Sequence, residues 1–461
     1  MDNKGKIFEF LYKQNNDSYN INQISRLVGI SVGSAFKVLK ALEQHDYVVV
    51  SRKNNALLYQ INMSYNTKEL HENIEEEENK RDTKKTKVVC TIGIALNASK
   101  IKKLVEKGMD VARIDVSYLV EKDIIKIIQN IRQATDEIPI LLDICKNPKY
   151  WINFAMENDL DFVSITAADS KDVHRANKLL GYSDLKQVIG DKIKVLNKIG
   201  SESLKNYKEI VAESYGIIID RNKLASGKIE MLPRLQKEII DECNKFGKPI
   251  IIAGNVLDSM ICSKQPTQSE IYDVSNAVLG GASCLTLSKE TVNGNYPIEA
   301  IQTLSRIIKN AEIGQLENIA PIKFDSTHFI LNAIFELEKN LHVDALLIIT
   351  SGGYSARMIS SRRVRFKTIA VTSRKKIFRQ LRLLWGIKPL HVKINTEDIS
   401  NEDKKESILK ALKKGFIGKS DQIAIIASIF HSKSKRTNLL EIHKVSEFLD
   451  YLDRKKVSLE V

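Results

Sequence analysis

Two short stretches group residue types that could bind and rearrange anions. In SYGIIIDRNKLAS (residues 214–226), three isoleucines end abruptly in Asp220-Arg221-Asn222-Lys223. An apolar strand ending in a burst of charge delivers those side chains to the rim of a sheet, where chemistry is done. In Ile349-Thr350-Ser351-Gly352-Gly353-Tyr354-Ser355, a strand gives way to a Gly/Ser/Thr turn and a helix start. That order points backbone N–H groups and hydroxyls at a phosphate or another anion. Other strand-like runs end in similar company: Arg113, Asp115 and Ser117, then Asp143, then Lys198, Gly254-Asn255 and Ser288-Lys289-Glu290.

The elements that must position these residues form a repeat. TKVVCTI, DVARIDV, IPILLDI, DFVSIT, KIKVLNKI, GIIID, PIIIAG and CLTLS alternate with helix-period segments such as KDIIKIIQNIRQA. Strands this uniformly apolar are buried on both faces, as parallel sheets require. The repeat fits a closed (β/α)8 TIM barrel, with an open doubly wound sheet as the other arrangement. In a barrel, the rim at the strand carboxyl ends is the functional one, and the residues above fall there. A smaller α/β domain follows, with strands DALLIITS and KTIAVTS. Residues 351–394 within it carry about a dozen Lys and Arg and no acidic residue. That block reads as solvated helix faces, an effector-phosphate contact or an auxiliary DNA-backbone contact.

The first 65 residues are different. Their order is helix, helix, turn, helix and a hairpin turning at Lys53-Asn54-Asn55, as in a winged helix-turn-helix. Ser31 is placed as the cap of a helix whose Ala35, Phe36, Leu39 and Leu42 line one face. On the DNA-binding reading, Ser31, Ser34, Lys37 and Lys40 meet bases or backbone, with Arg52 and Lys53 on the wing. On the alternative reading this is a protein-interaction module with solvated lysines. The expected division is 1–65 winged helix, 66–84 charged linker, 85–318 barrel and 319–461 α/β domain. The whole chain of 461 residues has a formal charge of +14, which permits nucleic acid or anionic metabolites as partners. No apolar run is long enough to span a bilayer and no signal-peptide pattern is present, so the cytoplasm is expected. The five scattered cysteines read as reduced, mostly buried thiols.

TKVVCTIG, GMDVARIDVSY, GKPIIIAGNVLDSM, PTQSEIYDVSNAVLGGASCLTLSKETVNGNYPIEAIQTLSRI, SGGYSARMISSRR and IAVTSRKKIFRQLRLLWGI resemble the pyruvate kinase family, in order and from about residue 84 onward. The resemblance implies phosphoryl transfer between phosphoenolpyruvate and ADP. It makes Arg113 the phosphoryl-contacting arginine, Lys198 the catalytic lysine, and Ser117 and Asp143 two potassium ligands. It implies an effector-phosphate loop at Thr350, Ser351, Gly353 and Ser355, and a homo-oligomer, dimer or tetramer.

The same resemblance exposes departures. The family's divalent-metal carboxylates fall at Gly200 and Lys223. Asp115 stands for an Asn, Ile144 for a Thr, and Gly254 for the Thr that helps protonate enolpyruvate. The lid domain expected after LDICKNP is absent. These losses predict a catalytically inactive body with no metal and no cofactor. Arg113, Lys198, Arg221 and Lys223 would then form an anion site for phosphoenolpyruvate or a similar acid, or else a structural salt network. Asp115, Ser117 and Asp143 would be remnants of the monovalent-cation site. The resulting expectation is a DNA-binding transcription regulator responding to a phosphorylated metabolite, such as phosphoenolpyruvate or a sugar phosphate. The rival expectation is a divergent pyruvate kinase using Mg2+ and K+.

Overall fold

A computed structural model describes residues 3–14, 17–53, 56–63, 84–179, 192–224, 229–313, 340–396, 399–427 and 437–457, with six positions in 330–337. The chain divides into two compact units, residues 1–83 and 84–461.

In the first unit, helices α1 (Asn3–Gln14), α2 (Ile21–Val28) and α3 (Val32–Gln44) precede strands β2 (Val48–Lys53) and β3 (Ala56–Ile61). A two-residue strand, β1 (Tyr19–Asn20), completes an antiparallel sheet of order β1-β3-β2. Asn20 and Gln23 form a capping box that starts α2, and Gly29, in the left-handed conformation, ends it. The core is Ile7, Phe8, Leu11, Ile24, Ala35, Leu39, Leu42, Val48, Tyr59 and Ile61. Phe36, expected on the buried face of α3, is 50% exposed, as is Leu27 of α2 at 55%. Ala35, Leu39 and Leu42 already fill one stripe at helical spacing, and Phe36 lies a quarter-turn away from it.

The second unit opens with the barrel. Its strands are β4 (Lys87–Thr91), β5 (Val111–Asp115), β6 (Ile140–Asp143), β7 (Phe162–Thr166), β8 (Lys194–Ile199), β9 (Gly216–Asp220), β10 (Ile250–Ala253) and β11 (Cys284–Leu287). All eight expected strands are present and close into one parallel barrel. Each strand gives one residue to an apolar layer inside the barrel: Val89, Val111, Leu141, Phe162, Leu196, Ile218, Ile251 and Cys284. Only residues 144–147 separate β6 from the next helix, Pro148–Glu157, so nothing is inserted there.

A five-stranded sheet of order β14-β13-β12-β15-β16 follows, built from β12 (Ala345–Ile349), β13 (Lys367–Thr372), β14 (Ile387–His391), β15 (Gln422–Ala427) and β16 (Leu439–Lys444). This domain closes the barrel floor. Its Leu383 packs among the eight interior residues, and its carbonyl accepts from the Cys284 thiol at 3.2 Å. Leaving water for that pocket is worth about 1.5–3 kcal/mol for a leucine.

Candidate functional site

At the other end of the barrel, the strand ends bring charge together. Asp143 closes β6 and is buried, accepting from Ser164 Oγ at 2.5 Å. Lys198 Nζ lies 2.6 Å from its Oδ1, and the Arg113 guanidinium binds its Oδ2 through Nε at 2.9 Å and also through Nη2. Arg113 also donates to Thr91 Oγ1 at 2.8 Å and to Asp115 Oδ2 at 2.9 Å. Burial alone would push the Asp143 carboxyl up, but Arg113 and Lys198 hold it down at about 2. The same carboxylate raises Lys198 against the lowering effect of burial, so the ammonium stays charged. Asp115 Oδ1 takes the Ser117 hydroxyl at 2.6 Å and the Ser117 N–H at 3.0 Å. A thiol that sequence reasoning passed over, Cys145, completes the ring. Its Sγ is 3.0 Å from Ser117 Oγ and 3.6 Å from Lys198 Nζ, and the residue is exposed.

Arg113, Lys198, Asp115, Ser117 and Asp143 are therefore one connected cluster. Arg221 does not join it. Its guanidinium binds Asp273 (2.5 Å and 3.2 Å) and Gln236 (2.9 Å), because a short helix, Arg221–Leu224, begins directly after β9 and turns the side chain outward. Lys223 lies over Gly200, where an added Cβ would meet Lys223 Cβ at 3.0 Å. Its N–H donates to Asp220 Oδ1 at 3.4 Å.

In the α/β domain, Gly353 adopts φ +80° at the start of the helix Tyr354–Arg362, as a Gly turn requires. The Gly353 N–H is already taken by Thr350 Oγ1 at 2.9 Å, and Ser355 shares a hydrogen bond of 2.5 Å with Thr437. Ser351 is partly exposed in the same turn. Much of the basic block is spent on the barrel floor. Lys375 pairs with Asp136, Lys376 with Asp159 (2.8 Å), Arg379 with Asp159 (2.8 Å) and Asp161 (2.7 Å), and Arg382 with Glu137. Arg363 donates to the Gly281 and Ala282 carbonyls. In the N-terminal unit, Ser31 caps α3 by accepting from the Ser34 N–H at 3.2 Å and bonds the Ser34 hydroxyl at 2.9 Å. Lys37, Lys40 and Arg52 are exposed, and the Lys53 side chain lies outside the described residues.

A floor-plugged (β/α)8 barrel with a cation–carboxylate cluster at its mouth and an appended five-stranded α/β domain is the class these features define. Residues 141–301 match the family model for the pyruvate kinase barrel domain, and residues 328–443 match that for its alpha/beta domain. The chain is 31% identical to a pyruvate kinase of Methanocaldococcus jannaschii, covering 68% of this chain and 69% of the relative. It is 29% identical to one of Clostridium acetobutylicum (68% and 67%) and 31% identical to one of Sporosarcina psychrophila (65% and 51%). It thus spans between half and about two thirds of the relatives it matches. The chain belongs to the pyruvate kinase family.

That membership corrects three expectations. The relatives are named as kinases, so the reading as an inactive, DNA-binding transcription regulator falls. DNA and a sensed metabolite fall with it as partners. The expected absence of a cofactor falls too, with the match to the pyruvate kinase barrel model. No helix among the described residues is long and apolar enough to cross a membrane.

Proposed function

We propose that this chain is a phosphotransferase of the pyruvate kinase type, moving a phosphoryl group between phosphoenolpyruvate and ADP. The observation that carries this reading is the grip of Arg113 and Lys198 on opposite oxygens of Asp143 at the barrel mouth. Phosphoryl transfer asks little covalent work of a protein. It asks for fixed positive charge where negative charge gathers. Arg113 is held by Thr91, Asp115 and Asp143, which fixes a planar fork suited to phosphoryl oxygens. Lys198 is buried yet kept charged by Asp143, which suits it to face an enolate oxygen.

The donor chemistry fits a monovalent cation. Asp115, Ser117 and Asp143 supply hard oxygens on neighbouring strand ends, joined through Arg113. It does not fit a divalent ion held at the family's two carboxylate positions, where Gly200 lies under the Lys223 side chain. No three His, Cys, Asp or Glu among the described residues converge as a metal cluster. Asp220 is the carboxylate left at the end of β9.

We also infer that the N-terminal unit is a winged helix, on the strength of its three helices and its β1-β3-β2 sheet. A cytoplasmic location accords with the family.

The test is pyruvate formation by the purified chain from phosphoenolpyruvate and ADP, with Mg2+ and K+ supplied. Activity should fall about a thousandfold in Lys198→Met, the scale of removing one preorganised electrostatic group. A wild-type protein that makes no pyruvate would overturn the reading.

A further inference from the structure

Along the seam between the barrel floor and the α/β domain, Lys375, Lys376, Arg379 and Arg382 each meet a barrel carboxylate. Arg357, on the helix Tyr354–Arg362, pairs with no carboxylate among the described residues. Its guanidinium lies 5.0 Å from the Tyr215 ring centre and 5.6 Å from that of Tyr354. The rings attract the charge without accepting along its N–H bonds, and the buried Nε has no hydrogen-bond partner. Lys248, two residues before β10, is its neighbour across the seam. The Lys248 ammonium donates to the carbonyls of Ala212 at 2.9 Å and Ser214 at 2.5 Å, which leaves its third N–H. Glu213 and Cys243 act on it only through space. Burial, and after it the nearby Arg357, push the ammonium down to about 7. Gly247 ties the two elements together: at φ +65°, an added Cβ there would fall 2.5 Å from Met358 Sδ, on the helix that carries Arg357.

We propose that Arg357 and Lys248 hold a small inorganic oxyanion, of the phosphate or sulfate type, between the barrel floor and the α/β domain. A buried donor without a partner is a cost, and an anion that accepts from it removes that cost. The guanidinium is a planar fork that meets two oxygens at once, and the ammonium is a point charge suited to a third. Two cations arriving from different elements match a dianion with oxygens in several directions. A carboxylate brings one charge and two oxygens, and fits them less well.

Bound there, the ion turns a repulsion across the seam into a bridge and favours the charged form of Lys248. The site stands apart from the turn at Thr350–Ser355, whose Gly353 N–H and Ser355 hydroxyl are paired within the α/β domain. Tyr215 and Lys248 precede their strands, so the site also lies at the opposite end of the barrel from Arg113, Asp143 and Lys198. It therefore does not depend on the kinase reading.

The test is thermal unfolding of the full chain titrated with sodium phosphate and, separately, sodium sulfate, each against sodium chloride of equal ionic strength. Both anions also stabilise proteins by exclusion from the surface, an effect that does not saturate, so the readout is the saturable part. The wild type should show a saturable rise in melting temperature of a few degrees. Arg357→Met and Lys248→Met should each raise the half-saturating concentration about tenfold or more, the scale of losing one charged hydrogen bond. Arg357→Lys, which keeps the charge and loses the fork, should fall between. Lys198→Met, at the mouth, should respond as the wild type does. Each variant is compared with itself in chloride, so a lower baseline stability does not blur the result. A wild type with no saturable rise, or seam variants that respond like the wild type, would overturn the site. A response lost only in Lys198→Met would overturn it as well, by moving the anion to the mouth. So would a response to sodium acetate equal to that for phosphate, since any small anion would then do.

Discussion

The two ends of the barrel are both built from charge, and they use it in opposite ways. At the floor, Arg379 is buried, its guanidinium divided between Asp159 and the fully buried Asp161, which also receives Arg132 and the Ile140 N–H. Leu383 plugs the strands beside it, and Lys87 donates to the Ile387 carbonyl at 2.9 Å. At the mouth, one buried carboxylate, Asp143, serves two cations, and the ring around it ends in the solvent-exposed Cys145. Dense pairing behind an apolar plug makes a joint. Shared pairing under an open rim makes a site whose cations can turn to a ligand.

The largest effect on stability should come from breaking the joint. Asp161→Ala would strip Arg132 of its ion-pair partner and leave the buried Arg379 with only the exposed Asp159. Removing one partner from a buried pair costs about 3–5 kcal/mol. Urea unfolding should show this loss, and a change under about 1 kcal/mol would mean the joint is ornamental.

Acid separates the two ends more finely. The folded Asp143 carboxyl sits at about 2, below the usual aspartate value. A depressed carboxylate contributes stability that is present above its unfolded pKa and lost as pH falls through its folded one. The window is therefore about pH 4 down to pH 2, and the contribution at pH 7 is about 2 kcal/mol. Unfolding midpoints followed across that window should flatten in Asp143→Asn. An unchanged slope would place the acid sensitivity elsewhere.

The mouth can also be pushed toward its relatives. Gly200→Glu alone would drive its Cβ into Lys223, so the informative variant is Gly200→Glu with Lys223→Asp. Restoring two carboxylates should tighten the apparent Mg2+ requirement for pyruvate formation about tenfold, roughly 1.4 kcal/mol. A double variant with the wild-type Mg2+ dependence would show that these positions do not set it.

Much of this was legible in the sequence, and the failures have a common cause. Strands such as GIIID and PIIIAG announce themselves because burial on both faces leaves an uninterrupted apolar run. The cluster of Arg113, Asp143 and Lys198 was readable once the strands were ordered, since each lies within two residues of a strand's carboxyl end at the same rim. Arg221 was misplaced because a helix starts immediately after β9, and one residue of turn is enough to carry a side chain from the rim to the outer layer. Phe36 was misplaced because a helical stripe with three good members looks as though it should hold a fourth. The basic block was visible as composition, but its partners Asp136, Asp159 and Asp161 lie more than 200 residues earlier, and local pattern carries no record of long-range pairing. Cys145 escaped because a single thiol has no spacing to read.

The smallest predicted effect sharpens the contrast within the floor itself. Lys375 and Asp136 form an ion pair in which both side chains are more than half exposed, at 56% and 61%. Water solvates both ions well when they are apart, and salt screens them when together, so such pairs are worth about 0–1 kcal/mol. Lys375→Ala should therefore lower stability by less than about 1 kcal/mol, and raising the ionic strength to 1 M should erase the difference. Arg379 sits one helical turn further along the same helix, Lys375–Leu381, and is nearly inaccessible to solvent. If Lys375→Ala cost as much as Asp161→Ala, burial would not be what divides the strong pairs of the joint from the weak ones. The floor would then have to be understood as a single cooperative network of charges, in which exposed members draw their strength from buried ones.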